Sequence, residues 1–488
     1  MNELQKKAGV LLKLSRASGV LLPVFSLPGA YSVGSFGREA RGFVDFLRAG
    51  GFRWWQVLPF CLPGEGNSPY KSFSAFSYNY AFIDLPTLAE EGLITRAELD
   101  AARGQNPYAC EYDRTGEERF ALHSRAAARF GDRAAVEEFL AARPRTAAFC
   151  RYMALRRAND DRPARAFVTD RYDGAYYFAL AFTQYLFCRQ FDALHAYAAA
   201  NGVRLLGDIP IYVDAESADV YENPGIFQLR EDGTPAAVAG VPPDCFSETG
   251  QLWGNPLYRW DAMREDGFSF FADRIRHEMA SFDGLRIDHF RAFASYYRIP
   301  ADATDAREGK WVRGPGRELI DVLRRTAGEK LLVAEDLGGD TPDVEELLSY
   351  SGFPGMRVLQ FAFTERDSPH LPYRYPARAV AYTGTHDNNT LLGYLFALPE
   401  ETRRRVFAYC GYPGTEIDGA LPYVFRTMYA SHADLLILPL QDLLGFGEDT
   451  RINRPGTAAG NWTYRVTEKQ LSRVDTARFA ALAELYGR

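Results

Sequence analysis

The sequence predicts an α/β fold, a (β/α)8 TIM barrel carrying large, mostly helical insertions. Two observations lead there. Short apolar runs that read as buried strands recur eight times, most of them separated by stretches of helical period, as repeated βα units require. Acidic residues stand at or just past the ends of several of these runs, where α/β barrels keep their chemistry. The length of 488 residues agrees, because a barrel with insertions often reaches that size as one unit.

The first two strands are expected at 20–26 and 54–59. Between them, residues 39–49 set Ala40, Phe43, Val44 and Leu47 on one helical face, and Gly50-Gly51 ends the helix. The third strand, 203–211, follows roughly 140 residues later, too far for a single crossover. Residues 60–202 are therefore expected to form an inserted, largely helical subdomain. The stretch 96–200 is rich in Ala, Arg, Glu and aromatics with a period near 3.6, clearest over 184–199. Residues 214–258 carry Pro-Gly, Asp-Gly and Pro-Pro punctuation and few strand-like runs, which predicts an elaborated loop on the active face. Strands at 284–289, 330–335, 356–363, 379–383 and 434–439 complete the set. With no internal repeat or low-complexity tract, residues 1–488 read as a single catalytic barrel.

Three carboxylates organise the chemistry. Asp288 ends the fourth strand in Gly-Leu-Arg-Ile-Asp-His-Phe-Arg, and Glu335 ends the fifth in Leu-Leu-Val-Ala-Glu-Asp-Leu-Gly. Asp387 follows the seventh in Tyr-Thr-Gly-Thr-His-Asp-Asn-Asn-Thr. On a barrel all three face one mouth. Retaining glycoside cleavage needs an ionised carboxylate nucleophile and a protonated carboxyl about 5 Å away, which neighbouring strand ends can supply. Arg286, two residues before Asp288, points to the same side of its strand and suits an ionised nucleophile. Glu335 follows an apolar run, and desolvation favours the protonated form of a general acid, later a base. Asp387, beside His386, is expected to bind sugar hydroxyls and help distort the ring. Singly, each motif also reads as a loop cap, a pair of first-turn acids or a polar turn. Their joint order with Arg286 and His386 is accounted for by one site.

Composition narrows the partners. With 56 basic and 63 acidic residues the net charge is −7, which opposes general attraction to nucleic acid or anionic lipid. Six cysteines (Cys61, Cys110, Cys150, Cys188, Cys245 and Cys410) form no C-x-x-C pair, arguing against a zinc site or a disulfide scaffold and fitting a reducing cytoplasm. Lys13 and Arg16 interrupt the apolar N-terminal stretch, so no signal peptide is expected, and no window has the apolar length of a membrane span. No calcium loop, P-loop or G-x-G-x-x-G after a strand is present, and the scheme requires no metal and no cofactor.

Further stretches carry a family resemblance. They are Ser-Leu-Pro-Gly from Ser26, Trp-Gln-Val-Leu-Pro from Trp55, Asn-Ser-Pro-Tyr-Lys-Ser-Phe-Ser-Ala-Phe from Asn67, and Gly-Asp-Ile-Pro-Ile-Tyr-Val from Gly207. Ala-Gly-Val-Pro-Pro-Asp from Ala239, Gly-Gln-Leu-Trp-Gly-Asn-Pro-Leu-Tyr from Gly250, Arg-Ile-Asn-Arg-Pro-Gly-Thr from Arg451 and Gly-Asn-Trp from Gly460 follow. With the three carboxylate motifs, the chain resembles, through nearly its whole length, the 4-α-glucanotransferases of the amylomaltase or disproportionating-enzyme type, glycoside hydrolase family 77 in the α-amylase clan. The resemblance implies Asp288 as nucleophile, Glu335 as acid/base and Asp387 as transition-state stabiliser. It places Arg286, His386 and Asp208 around the sugar at the cleavage point, stacks Tyr70 near it, and makes Gln251, Trp253 and Asn453 glucan contacts. Without it, Tyr70 and Trp253 read as core and Asp208 as a loop cap.

The implied reaction cuts an α-1,4 bond, holds the glucan covalently and passes it to the 4-hydroxyl of an acceptor. Donors and acceptors are maltodextrin, amylose or glycogen-derived α-1,4-glucans, with glucose as a further acceptor. The alternatives are an α-1,4-glucan hydrolase on the same carboxylates and a non-catalytic glucan-binding barrel, which has no use for three clustered acids. A sugar-phosphate barrel enzyme is disfavoured by the lack of a Gly-rich loop after the late strands. The chain departs from the family at Tyr80, where a proline is expected after Asn, and at Cys245, where a tyrosine usually follows Pro-Pro-Asp beside the cleft. It also begins close to the first strand, so no separate N-terminal carbohydrate-binding module is expected.

Overall fold

Twelve strands organise the chain, in a computed structural model that describes residues 14–243, 247–338, 341–457 and 459–488. They are β1 (Ala17–Leu21), β2 (Trp54–Gln56), β3 (Arg204–Ile209), β4 (Ala237–Val241), β5 (Gln251–Pro256), β6 (Gly284–Ile287), β7 (Ser295–Pro300), β8 (Lys310–Arg313), β9 (Leu331–Ala334), β10 (Gly355–Val358), β11 (Ala379–Tyr382) and β12 (Leu435–Pro439). Eight of them close a parallel barrel in the order β1-β12-β11-β10-β9-β6-β3-β2. β1 seals the seam, pairing with β12 on one side and β2 on the other. Every one of the eight expected strands is in the barrel. Their residues are almost wholly buried, as strands covered on both faces must be.

The boundaries shift where proline and turn chemistry intervene. The first strand starts at Ala17 and ends before Pro23, whose fixed φ leads into a 3-10 turn over Val24–Ser26. The run expected at 356–363 stops at Val358 and tightens into a second 3-10 turn, Leu359–Phe361. The first crossover helix, Arg38–Ala49, buries Ala40, Phe43, Val44, Phe46 and Leu47, and Gly51 leaves it at φ +71°. At Gly19 of β1, a Cβ would lie 2.6 Å from the Cβ and carbonyl oxygen of Trp54, so the strands close only over a hydrogen.

Between β2 and β3 lie the helices Leu85–Glu90, Arg96–Ala101, Glu117–Arg129, Arg133–Ala141, Pro144–Ala158 and Gly174–Ala200. Arg96–Ala101 opens with a complete capping box from Thr95 and Glu98. The 27-residue Gly174–Ala200 helix is apolar around most of its circumference because it packs on three of these helices and on Arg38–Ala49. Tyr80 begins a 3-10 turn capped by the Asn79 side chain, a first-turn position that proline also tolerates.

The region 214–258, expected as an elaborated loop, also contains two strands. β4 and β5 lie there and join β7 and β8 in an antiparallel sheet of order β5-β4-β7-β8. Gly240, where a Cβ would fall 2.1 Å from the Gln251 carbonyl oxygen, and Gly254 at φ +82° break the alternation that marks a strand in sequence. β4 pairs with β5 across a short loop, but its other neighbour, β7, comes from after β6, so half of its pairing has no local signal. Cys245 lies outside the described residues. Among those described, no helix is long and apolar enough to cross a membrane.

Candidate active site

Asp288 and Glu335 leave the barrel side by side. β6 and β9 are in register to Ile287 opposite Ala334, so the next residue of each strand is a carboxylate, on chains about 4.8 Å apart. The Asp288 N–H donates to the Ile209 carbonyl and the Glu335 N–H to that of Ile287, each at 3.0 Å, which extends the barrel ladder one step into the site. His289 then turns the chain through a left-handed conformation, φ 52°. That turn aims the His289 N–H at Glu335 Oε2 (2.8 Å), while the Leu337 N–H reaches Oε1 (2.8 Å). Each oxygen of Glu335 thus accepts one backbone hydrogen bond and keeps a lone pair for a proton. Burial pushes its carboxyl above the usual carboxylate range, against the opposing pull of Arg286.

A buried chain of charges backs Asp288. Asp208 of β3 stands opposite Arg286 of β6 in the ladder. Arg286 Nη1 donates to both Asp208 oxygens, at 2.9 and 2.7 Å, and Nη2 pairs with Asp288 Oδ1 at 2.8 Å. The Tyr70 hydroxyl donates to Asp208 Oδ2 at 2.7 Å. Burial pushes Asp208 up to about 7, with Arg286 opposing. Burial also raises Asp288, and Glu335 and Asp387 add to the rise while Arg286 counters it. Arg286 therefore makes the expected contact with Asp288 and opposes the rise that burial causes.

Asp387 is the most open of the three carboxylates, with its side chain 42% exposed. Asn453 Nδ2 donates to its Oδ1 at 2.6 Å, and His386 Nε2 lies 3.3 Å from Oδ2. The His386 ring stacks on Tyr70 with centroids 5.2 Å apart and planes 11° from parallel, and Trp462 closes the cluster 5.9 and 6.0 Å from the two rings. Burial lowers the His386 imidazole, favouring its neutral form. On the other side, Trp253 Nε1 donates to Gln251 Oε1 (3.1 Å), and the Trp253 ring meets His289 edge-on at 4.9 Å.

All ten residues singled out from sequence thus fall around one barrel mouth. Tyr70, Asp208, Arg286 and Asp288 form one bonded chain, Asp387 links His386 and Asn453, and Gln251 with Trp253 approaches through His289. Asp208 lies inside a strand and pairs with a buried arginine, which removes its loop-cap reading. Three participants were missed. Trp462 stands in the Gly-Asn-Trp stretch and His289 follows Asp288, so both were within sight. Asp442 carried no signal: its Oδ2 accepts from Thr383 Oγ1 (2.5 Å) and its Oδ1 from the Leu391 N–H (2.7 Å), pinning both ends of the segment that bears His386 and Asp387.

A closed (β/α)8 barrel with carboxylates on adjacent strand ends is the architecture of carbohydrate-processing barrel enzymes. Comparison with known proteins makes this particular. The 4-alpha-glucanotransferase family model of glycoside hydrolase family 77 matches residues 22–471. The 4-alpha-glucanotransferase of Thermus thermophilus is 43% identical, over 97% of this chain and 99% of that protein. That of Streptococcus pneumoniae serotype 4 is 40% identical over 97% of each. Among solved structures, the amylomaltase from Streptococcus agalactiae in complex with acarbose superposes with a TM-score of 0.92 at 35% identity, covering 97% of this chain and 99% of that one. The chain belongs to the 4-alpha-glucanotransferase family, glycoside hydrolase family 77.

Proposed function

We propose that Asp288 attacks the anomeric carbon of an α-1,4-linked glucose unit while Glu335 protonates the departing 4-oxygen, leaving the donor glucan covalently held on Asp288. In the second half, the 4-hydroxyl of an acceptor gives its proton to Glu335 and displaces Asp288, so the bond is remade with retained configuration. The observation that carries this reading is the registered pair Asp288 and Glu335, with Arg286 bonded to the first and both backbone donors fixing the second. Asp387, held by Asn453 and half-open to solvent, is placed to bind sugar hydroxyls. Tyr70, Asp208, Arg286 and His386 form the wall around the cleaved sugar, and Gln251 and Trp253 the wall beyond it.

Donors are maltodextrin, amylose or glycogen-derived α-1,4-glucans, and acceptors are another glucan or glucose. The acarbose bound by the S. agalactiae relative supports a glucan-shaped cleft here. We read residues 1–488 as one catalytic unit, the insertion 60–202 and the region 214–258 supplying the walls that keep water from the intermediate. A cytoplasmic setting fits the free thiols of Cys61, Cys110, Cys150, Cys188 and Cys410.

The test is incubation with maltotriose, following the product ladder and the total of reducing ends together. Glucose plus longer maltodextrins at constant reducing ends is expected. A steady rise in reducing ends would make the chain a hydrolase on the same carboxylates, and no product would overturn the assignment of this donor.

A further inference from the structure

The four-stranded sheet reaches the acid/base residue from an unexpected side. Its outermost strand, β8, carries Trp311, a 41% exposed tryptophan opposite Tyr297 in the β7 ladder. Nothing in the binding of a glucan at Asp288 and Glu335 calls for it. One face of its ring is nonetheless covered: the Arg291 guanidinium carbon stands 4.0 Å from the ring centroid. Arg291 is itself 6% exposed, and its Nη1 donates to the carbonyl of Gly338.

Gly338 lies in the turn that follows Glu335, next to Leu337, whose N–H holds Glu335 Oε1. A Cβ on Gly338 would come 2.9 Å from Arg291 Cδ, so the turn is pressed against the arginine. Arg291 is carried by the segment after β6 that touches Glu335 twice more, through the His289 N–H to Oε2 and the Phe290 N–H to the Glu335 carbonyl (3.0 Å). The two segments that fix the carboxyl are therefore tied together by one side chain, and that side chain rests on Trp311.

We propose that Arg291, held over the Trp311 ring, is a positioning residue for Glu335 that braces the turn orienting its carboxyl. The inference rests on the reading of Glu335 as acid and base. The charged and titratable groups facing Glu335 are Arg286, Asp288, His289 and Arg291 from the β6 side and Asp336 from its own turn, the last paired with Arg357. Arg291 also faces Asp343. Removing Arg291 takes a positive charge away from Glu335 and so makes its proton harder to lose.

The test measures maltotriose disproportionation against pH, with thermal unfolding, for Arg291→Met, Trp311→Leu, Trp311→Phe and the double variant Arg291→Met/Trp311→Leu, beside Glu335→Gln. Arg291→Met is expected to lower kcat about tenfold or more with KM changed less than about threefold, since misplacing a catalytic group costs turnover before binding. Its alkaline limb of kcat/KM moves to higher pH. Trp311→Leu moves both readouts the same way by less, Trp311→Phe restores them, and the double variant loses little beyond Arg291→Met alone. If Trp311→Leu and Arg291→Met fold normally and keep kcat and the alkaline limb, the bracing role is overturned. Should Arg291→Met fail to fold, Trp311→Leu, on an edge strand, decides by itself. A Glu335→Gln protein that still turns over would instead overturn the reading of Glu335, which separates the two failures.

Discussion

Glu335→Gln is the obvious probe of the acid/base role proposed for Glu335, and two backbone contacts make it less innocent than near-identity of shape suggests. Both carboxylate oxygens accept a backbone N–H at 2.8 Å, from His289 and from Leu337. An amide offers one acceptor and one NH2, so one of those N–H groups must face a donor. A buried donor left without its acceptor costs about 1–3 kcal/mol. If Glu335 gives and takes the proton as proposed, its loss removes about 10²–10⁴-fold of turnover. Two readouts separate the effects: disproportionation of maltotriose, and unfolding by denaturant at the same pH. A third uses an α-maltosyl fluoride donor, whose leaving group needs no proton. With it the variant should still form the glucan ester on Asp288, and the ester should persist, visible as a mass increase of the intact chain. Turnover of maltotriose within about tenfold of the unaltered protein would refute the acid/base role. Lost turnover with unchanged unfolding free energy would refute the account of the two backbone donors.

Three further outcomes follow from particular contacts. Tyr70→Phe removes the hydroxyl that donates to buried Asp208 at 2.7 Å but keeps the ring stacked on His386, and should cost about 1.5–3 kcal/mol in unfolding free energy, measured by denaturant titration. Asp442, pushed up to about 7 by burial against about 3.9 in an unfolded chain, holds its proton in the native state between those values. Unfolding free energy should therefore fall as pH rises from about 4 to about 7, by roughly 4 kcal/mol from this group, and Asp442→Asn, which can still accept the Leu391 N–H, should flatten that slope. Gly19→Ala forces a methyl to within 2.6 Å of the Trp54 backbone at the barrel seam and should destabilise the fold by about 1–3 kcal/mol, seen as a lower Tm with unchanged KM in whatever remains folded.

The barrel was legible because parallel strands buried on both faces must be apolar runs, and 331–334 or 435–439 can hardly be anything else. Residue types also exposed the carboxylates, since Asp288 and Glu335 break such runs at their ends. The antiparallel sheet escaped because its central pairing, β4 with β7, joins residues some tens of positions apart, and because its strands are interrupted by Gly240, where the Gln251 backbone approaches closely, and by Gly254 at positive φ. β8, Lys-Trp-Val-Arg, shows no buried face at all. What holds Glu335 was hidden for a different reason: its partners are backbone N–H groups delivered by the left-handed turn at His289, and amide groups have no letter in a sequence. Asp442 acts through a similar N–H at Leu391, so a lone acid after a strand gave no hint of its task.

The chain of Tyr70, Asp208, Arg286 and Asp288 joins segments that are remote in sequence, the first two alone 138 positions apart. Such a contact closes a long loop and belongs to the slow end of assembly, after local helices have formed. Until Tyr70 docks, Asp208 lacks its hydroxyl partner, and until Asp208 docks, Arg286 has no second anion to share its charge. The setting of Asp288 is thus completed by the same contact that seats the segment after β2 on the barrel. A chain with its strands paired and Tyr70 still undocked would hold Asp208, Arg286 and Asp288 without the hydroxyl that completes their bonding.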